Sequence, residues 1–416
     1  MTTQDTHGAT ASISEDPDLM QLARHLSPEE RERLRFIEDH AQRTVRHQSL
    51  EAWNEARLPL DMLSGLGDIG LGQLHLDGSS PLLRGLVHAA LARADVSISA
   101  VIGIHNELIV GMIHALGSQR QREEWLPDLR RLRTFGAFCL TEPDHGSDVA
   151  GGLATSATLR GGQWRIQGAK RWIGMGTAAD VALVWARDTA DGQVKGFLVP
   201  TSSAGYQARE ITHKTGLRIM PNADIELDVT VPQDALLPGA TSFAATNTGL
   251  RSSRAWVGWQ AVGAQQALLD IARDYASRRD QFGVPLASFQ LIQAALGKVA
   301  GNLAVSTSFM AELTRLQAER GLTMMHASLG KATLTRLARD SAAAAREIFG
   351  GNGILSDHEA AKIAGDIEAI YTYEGSQGIN LLIVGRELTG VSAFAPHRRP
   401  EGTGVSVAAA QSQVQS

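Results

Sequence analysis

From Asp224 to Val231 the chain alternates without a break. Ile225, Leu227, Val229 and Val231 are apolar, and Asp224, Glu226, Asp228 and Thr230 are polar. A period of two marks a strand that buries one face and wets the other. This stretch lies between two long regions whose apolar residues recur at helical spacing, so the order must be helices, then strands, then helices.

Further short strands surround it. Thr158–Arg160 and Gln163–Ile166 flank Gly161-Gly162, a pair suited to a tight hairpin. Val181–Ala186 and Gly196–Val199 flank a polar turn containing Asp191-Gly192. With no helical sequence between these strands, an antiparallel sandwich or barrel is expected rather than a parallel sheet. Upstream, SPEERERLRFIEDH carries a Ser27 cap with Glu29 and Glu30 in the first turn, and Leu82 to Leu116 reads as buried helices. Downstream, Ile292, Leu296, Val299 and Leu303 sit at helical spacing. An Ala-rich helix through Lys331 runs into Gly350-Gly351, where glycine stops it. The expected fold is α+β multidomain: a leader at 1–18, an N-terminal helical domain at 19–134, a middle antiparallel β domain at 135–245, a C-terminal four-helix bundle at 246–395 and a tail at 396–416. Leader and tail are polar and read as disordered.

Composition removes several function classes. Of 416 residues 43% are hydrophobic, which fits a globular, soluble chain with a large core. Lys plus Arg is 39 against 44 Asp plus Glu, a net −5 that argues against a general nucleic-acid binder. A single cysteine, Cys139, excludes an internal disulfide and makes a reducing compartment the default. No apolar run is expected to span a bilayer, the N-terminus lacks a signal-peptide core and the C-terminus is not an SKL-type address, so the cytosol is the expected location and no membrane is expected as a partner. HExxH, CxxC and GxSxG are absent and the 13 histidines form no pair at i, i+4, so no metal is expected.

Five segments carry possible chemistry. Leu140-Thr141-Glu142-Pro143-Asp144-His145-Gly146-Ser147-Asp148 is a polar loop offering N–H groups and hydroxyls. Lys170-Arg171-Trp172-Ile173-Gly174-Met175-Gly176 sets an indole face beside glycines that let a ligand approach. Its Gly174-x-Gly176-x-x-Ala179 imitates a dinucleotide fingerprint but precedes a strand, not a helix. Arg278-Arg279-Asp280-Gln281-Phe282-Gly283, with Gln290 beyond, offers a guanidinium for a diphosphate. Phe349-Gly350-Gly351-Asn352-Gly353 could admit a cofactor to the backbone. Glu374, between Tyr373 and Gly375 in apolar surroundings, is a candidate base. Taken singly, each also reads as an ordinary turn, helix end or core aromatic.

Together, in this order and spacing, the segments resemble the acyl-CoA dehydrogenase family over roughly residues 20–395. KRWIG, HKTGLR, RRDQFGVPLASFQ, GGNGIL and YTYEG are most similar to the branch of glutaryl-CoA dehydrogenases and plant short-chain acyl-CoA oxidases. The resemblance implies a homotetramer binding FAD and acyl-CoA, with an electron-transfer flavoprotein as electron acceptor, or O₂ in an oxidase. It implies that Glu374 removes the α-proton and the β-hydride passes to the flavin. Leu140, Thr141, Trp172, Ile173 and Gly174 would meet the flavin. Arg279 and Gln281, with Phe282 and Gln290 of the same motif, would hold the FAD diphosphate of an adjacent subunit. Gly350, Gly351 and Gly353 would line the cofactor, and Ser376 stands where a Thr is usual beside it. Ser147 and Arg254 would serve the substrate. Gly174 departs from the Thr of most dehydrogenases and keeps the oxidase open as an alternative. Arg93 with Ser97 matches the pair that takes a distal carboxylate in glutaryl enzymes, yet arginine there is not confined to them, so a monocarboxylic substrate is favoured. A flavin monooxygenase on this fold would not need Glu374.

Overall fold

The computed structural model describes residues 18–393; the leader, apart from Asp18, and the tail at 396–416 lie outside them. Helix α1 (Pro28–His40) starts as the sequence suggests: the Ser27 hydroxyl accepts from Glu30 N–H, the Glu30 side chain answers to the Ser27 N–H, and Pro28 opens the first turn. Helices α2 (His47–Glu55), α3 (Leu60–Asp68), α4 (Pro81–Ala94), α5 (Val96–Gly103), α6 (Gly111–Leu116) and α7 (Gln119–Leu129) complete this domain. A π-helical stretch, Ile104–Val110, joins α5 to α6 without a break. The resulting run, Val96–Leu116, is long and apolar enough to cross a membrane, which corrects the expectation that no such run exists. It is 94% buried over its most apolar window and forms the core of the helical domain.

The middle domain is a seven-stranded sheet of β1 (Gly136–Cys139), β2 (Ser156–Arg160), β3 (Gln163–Gly174), β4 (Val181–Asp188), β5 (Val194–Pro200), β6 (Tyr206–Glu210) and β7 (Asn222–Pro232), with a short helix α8 (Val149–Gly152) before β2. Its order is β1-β4-β2-β3-β7-β6, with β5 also on β4. The β2–β3 hairpin turns on Gly161 and Gly162, both left-handed at φ 56° and 78°. In β7 the apolar set Ile225, Leu227, Val229 and Val231 is buried, as the alternation requires. One feature differs from expectation: β1 and β2 both pair with β4 in parallel. Strand β4 is apolar and buried from Val181 to Ala186, so it can be covered on both faces, and β1 reaches it from the helical domain, not through a hairpin.

The C-terminal domain consists of α9 (Thr246–Arg278), a small hairpin of β8 (Asp280–Gln281) and β9 (Val284–Pro285), then α10 (Gln290–Arg320), α11 (Met324–Ile348), α12 (Ala360–Thr372) and α13 (Gln377–Thr389). Helix α9 is central, packing on α10, α11 and α12 and on α4 of the first domain. Asp366 of α12 accepts from Trp53 Nε1 at 3.0 Å and from Leu217 N–H at 2.6 Å, while Lys362 pairs with Asp95 at 2.6 Å. These buried polar contacts join all three domains beneath the corner that carries Glu374.

Candidate active site

Between α12 and α13 the chain turns through two consecutive left-handed residues, Glu374 at φ 56° and Gly375 at φ 84°. For a glutamate that conformation is strained, and it persists only where the surroundings impose it. Three side chains gather the carbonyls of the turn. Lys331 Nζ donates to Tyr371 O at 2.7 Å and Gly375 O at 2.8 Å. Arg254 Nε donates to Glu374 O at 3.0 Å. Asn380 Nδ2 donates to Gly375 O at 2.6 Å and Ser376 O at 3.1 Å. A Cβ on Gly375 would lie 3.1 Å from Asn380 Nδ2 and 3.4 Å from Arg254 Nη2, so position 375 needs glycine for both conformation and space. The Tyr373 hydroxyl donates to Gln260 Oε1, and Ser376 caps α13 by accepting from Ile379 N–H at 3.5 Å.

The Glu374 carboxylate is bonded by one side chain, Ser253, whose hydroxyl donates to Oε2 at 2.5 Å. Burial pushes this carboxyl up from its ordinary value; the Ser253 bond, Arg254 and Lys331 oppose the shift without reversing it. Lys331, itself desolvated, is pushed down to about 7. The result is a carboxylate kept basic inside a cationic scaffold that grips its backbone and leaves its side chain one neutral partner. Lys331, Asn380, Gln260 and Ser253 are not marked by the sequence; a lysine and an asparagine inside helical sequence give no local sign of the carbonyls they meet, 40 and 44 residues on for Lys331.

Leu140, Thr141 and Trp172–Gly174 come together through β3. Lys170 Nζ donates to Leu140 O at 3.2 Å, and Arg171 N–H donates to Thr141 O at 2.9 Å. Trp172 is left-handed at φ 62°, where the β3–β7 register slips between Lys170 and Ile173, and its ring is 53% exposed with the Arg171 guanidinium 5.2 Å from its centroid. Ile173 and Gly174 are buried. A Cβ on Gly174 would lie 2.8 Å from Ile104 Cδ1 and 3.2 Å from Met220 Sδ, so the missing side chain leaves no open channel. One turn beyond Ile104, Glu107 bonds Ser252, the neighbour of Ser253. The end of β3 and the Glu374 corner thus border one stretch of helix. Ser147 lies exposed in the loop after β1, and Arg254 is 7% exposed.

The remaining candidates form a second group. Arg279, Gln281, Phe282 and Gln290 are exposed around the β8–β9 hairpin, Phe282 to 95% and in a left-handed conformation. Gly350, Gly351 and Gly353 lie at the same end, because Asn352 Nδ2 donates to Tyr275 OH at 2.9 Å and Phe349 stacks on Tyr275 at 4.4 Å. Arg278 pairs with Asp274, whereas Arg279 makes no ion pair among the described residues. At ~1.5 Å per helical residue, Arg279 stands roughly 35–40 Å along α9 from Arg254.

No cluster of His, Cys, Asp and Glu suited to a metal exists among the described residues. Arg93 is bound to Asp270 at 2.7 Å across the α4–α9 contact, and no bond reaches the Ser97 hydroxyl. The geometry shows a strained carboxylate of raised proton affinity at one corner of the C-terminal domain and an exposed indole beside a glycine at the end of β3.

Comparison with known proteins agrees. Family models match along the chain: "Acyl-CoA dehydrogenase, N-terminal domain" at 27–132, "middle domain" at 137–230 and "C-terminal domain" at 243–389. The chain belongs to the acyl-CoA dehydrogenase family, whose members are oxidoreductases acting on the CH–CH group of acyl-CoA with FAD as cofactor. It is 30% identical to an isobutyryl-CoA dehydrogenase of Dictyostelium discoideum over 82% of this chain and 84% of that one. It is 29% identical to a short-chain specific acyl-CoA dehydrogenase of Bos taurus over 80% and 84%. A glutaryl-CoA dehydrogenase of Mycobacterium smegmatis superposes at TM-score 0.87 with 36% identity, covering 91% of this chain and 99% of that one; another, in complex with FADH2, gives 0.87 at 32% with the same coverage.

Proposed function

We propose that this enzyme oxidises a short, monocarboxylic acyl-CoA to its trans-2-enoyl-CoA, with Glu374 as the base and an electron-transfer flavoprotein as acceptor. The observation that carries the reading is the Glu374 corner: a carboxylate made more basic by burial, on a backbone fixed by Arg254, Lys331 and Asn380. A thioester α-proton is weakly acidic, so a base of raised proton affinity in a water-poor pocket is what its removal requires. Bound FAD supplies the hydride acceptor. The strained turn aims the carboxylate and frees the Glu374 N–H from helix bonding, so that it can polarise the thioester carbonyl. The exposed indole of Trp172 and the adjoining Leu140, Thr141, Ile173 and Gly174 suit the flavin ring, and Ser376 borders it from the Glu374 side.

Arg279, Gln281, Phe282, Gln290 and the Gly350–Gly353 turn suit a diphosphate and its backbone approach, but they lie too far from Glu374 in one chain to serve the same cofactor. That separation supports an oligomer, taken as a homotetramer, in which one subunit completes its neighbour's FAD site. A cavity of about 420 Å³ lined by Asn247, Arg251, Arg320 and Thr323 reaches Met324, whose sulfur touches Arg254. Its arginines offer a berth for the charged CoA end, and Ser147, exposed in the loop after β1, offers a hydroxyl to the same substrate. The Arg93–Asp270 pair withholds the cation that a distal carboxylate would need, which favours a monocarboxylic acyl group over glutaryl. The packing of Ile104 and Met220 against Gly174 favours the flavoprotein acceptor over O₂.

The test is spectroscopic. The purified protein should be yellow, and butyryl-CoA without air should bleach it. The bleached enzyme should recover quickly with an electron-transfer flavoprotein and slowly in air. Recovery in air within the turnover time, with peroxide, would make it an oxidase; glutaryl-CoA as the best substrate would overturn the acyl assignment.

A further inference from the structure

Ser253 is fully buried on α9, and its hydroxyl faces two acceptors: Oε2 of Glu374 at 2.5 Å and the carbonyl of Leu250 at 3.2 Å. A hydroxyl carries one proton and two lone pairs, so it can donate to only one of these at a time. Which one depends on Glu374. An ionised carboxylate accepts only, and the serine proton must point at it. Once Glu374 holds a proton on Oε2, that oxygen becomes a donor and the serine oxygen can accept from it. The serine proton is then free for Leu250 O, which lies within reach.

We infer that Ser253 is a positioning residue whose hydroxyl serves Glu374 in both protonation states, donating to the carboxylate before the α-proton is taken and accepting from the carboxylic acid afterwards, while its own proton turns to the Leu250 carbonyl. The inference rests on Glu374 being the base. The proton count balances: the α C–H proton goes to Oε2 of Glu374, the serine keeps its own proton, and only the direction of the Ser253–Oε2 hydrogen bond reverses. The carboxylate therefore needs no side-chain rotation and no water to remain bonded as it changes charge, which suits a half-buried group whose pKa burial raises.

The two bonds are unequal. Donation to a carboxylate is charge-assisted and about twice as strong as the neutral bond that replaces it. Removing the hydroxyl thus destabilises the ionised form more and moves the carboxyl's titration upward. The other groups facing Glu374 are Arg254 from α9, Lys331 from α11 and Tyr373 from its own segment. The Tyr373 phenol is pushed up by burial and stays neutral, whereas burial pushes Lys331 down to about 7.

The experiment follows the protonated-carboxyl band of the FAD-loaded enzyme by difference infrared spectroscopy across pH, in wild type, Ser253→Ala, Ser253→Thr and Glu374→Gln. Asp366, whose carboxyl burial pushes up to about 6, contributes to the same band, so the Glu374 band is the component lost in Glu374→Gln. In Ser253→Ala the band should titrate at higher pH, and in Ser253→Thr it should return toward wild type. Flavin reduction below the inflection should be roughly three- to tenfold slower in Ser253→Ala, the ratio carried by one ordinary hydrogen bond, and should recover at high pH. A lower plateau with an unmoved inflection would reduce Ser253 to packing and overturn the inference. Rapid flavin reduction by Glu374→Gln would instead remove the base assignment on which it rests.

Discussion

Two glutamates, Glu142 buried and Glu374 half-buried, each stand beside a buried lysine and differ in how fully they are bonded. Glu142 lies in the loop after β1. Lys170 Nζ donates to it at 2.9 Å, and Ala154 and Thr155 N–H add bonds at 2.6 and 2.9 Å. Burial alone would raise its pKa, but the Lys170 charge and these donors outweigh burial and hold it low. Lys170 is drawn down by desolvation, yet it also donates to Leu140 O and to Trp185 O, so the pair is fully bonded. Glu374 has a lysine nearby too, but Lys331 spends its donors on backbone carbonyls and leaves the carboxylate to one serine. Full satisfaction holds the Glu142 carboxyl low and clasps the loop after β1, whereas incomplete satisfaction leaves the Glu374 carboxyl raised.

The contrast can be broken by mutation. Glu142→Gln should cost about 3–5 kcal/mol of stability, because it strands the Lys170 ammonium in the core. Urea unfolding followed by far-UV circular dichroism measures this; a loss below ~1 kcal/mol would show that Lys170 does not need its partner. Glu374→Gln should act in the opposite sense and raise Tm. The sign follows from its raised pKa: between the unfolded value and the folded one, the native state holds the extra proton, so wild-type stability falls as pH rises through that window. The gain over wild type should therefore grow from acid toward neutral pH and then level off; calorimetry at several pH values gives the curve. A destabilised Glu374→Gln protein would mean that the carboxylate serves structure after all. A smaller effect than that of Glu142→Gln belongs to Arg93→Gln, which opens a mostly buried pair with Asp270 and should cost about 1–3 kcal/mol. Short acyl-CoA turnover should not change in that variant; selective loss of glutaryl-CoA use would restore the distal-carboxylate reading.

Much of this contrast was legible in the amino-acid order, but not all of it. The β7 alternation, the Ser27 cap and the Gly161-Gly162 turn are local, and local patterns carry their own signal. Glu374 stood out because its neighbours are Tyr373 and Gly375. The devices that make it special are distant: Arg254 lies 120 residues away in sequence and Ser253 121. The same holds for the parallel pairing of β1 with β4 and for Arg93, whose similarity to a carboxylate-binding arginine gave no hint that Asp270, 177 residues on, already held it. Long-range pairing is set by tertiary packing, which periodicity does not encode. The wide exposure around Arg279 and Phe282 likewise becomes meaningful only once the length of α9 separates them from Glu374.

The most direct test of the central claim is a stopped-flow mix of butyryl-CoA with Glu374→Gln enzyme in the absence of air, watching the flavin absorbance. The swap keeps the volume and the Ser253 bond but removes the proton acceptor. The protein should remain yellow and bind the thioester, and bleaching should slow by about 10²–10⁴-fold or more, the usual worth of a general base. Bleaching at close to the wild-type rate would contradict Glu374 as the base.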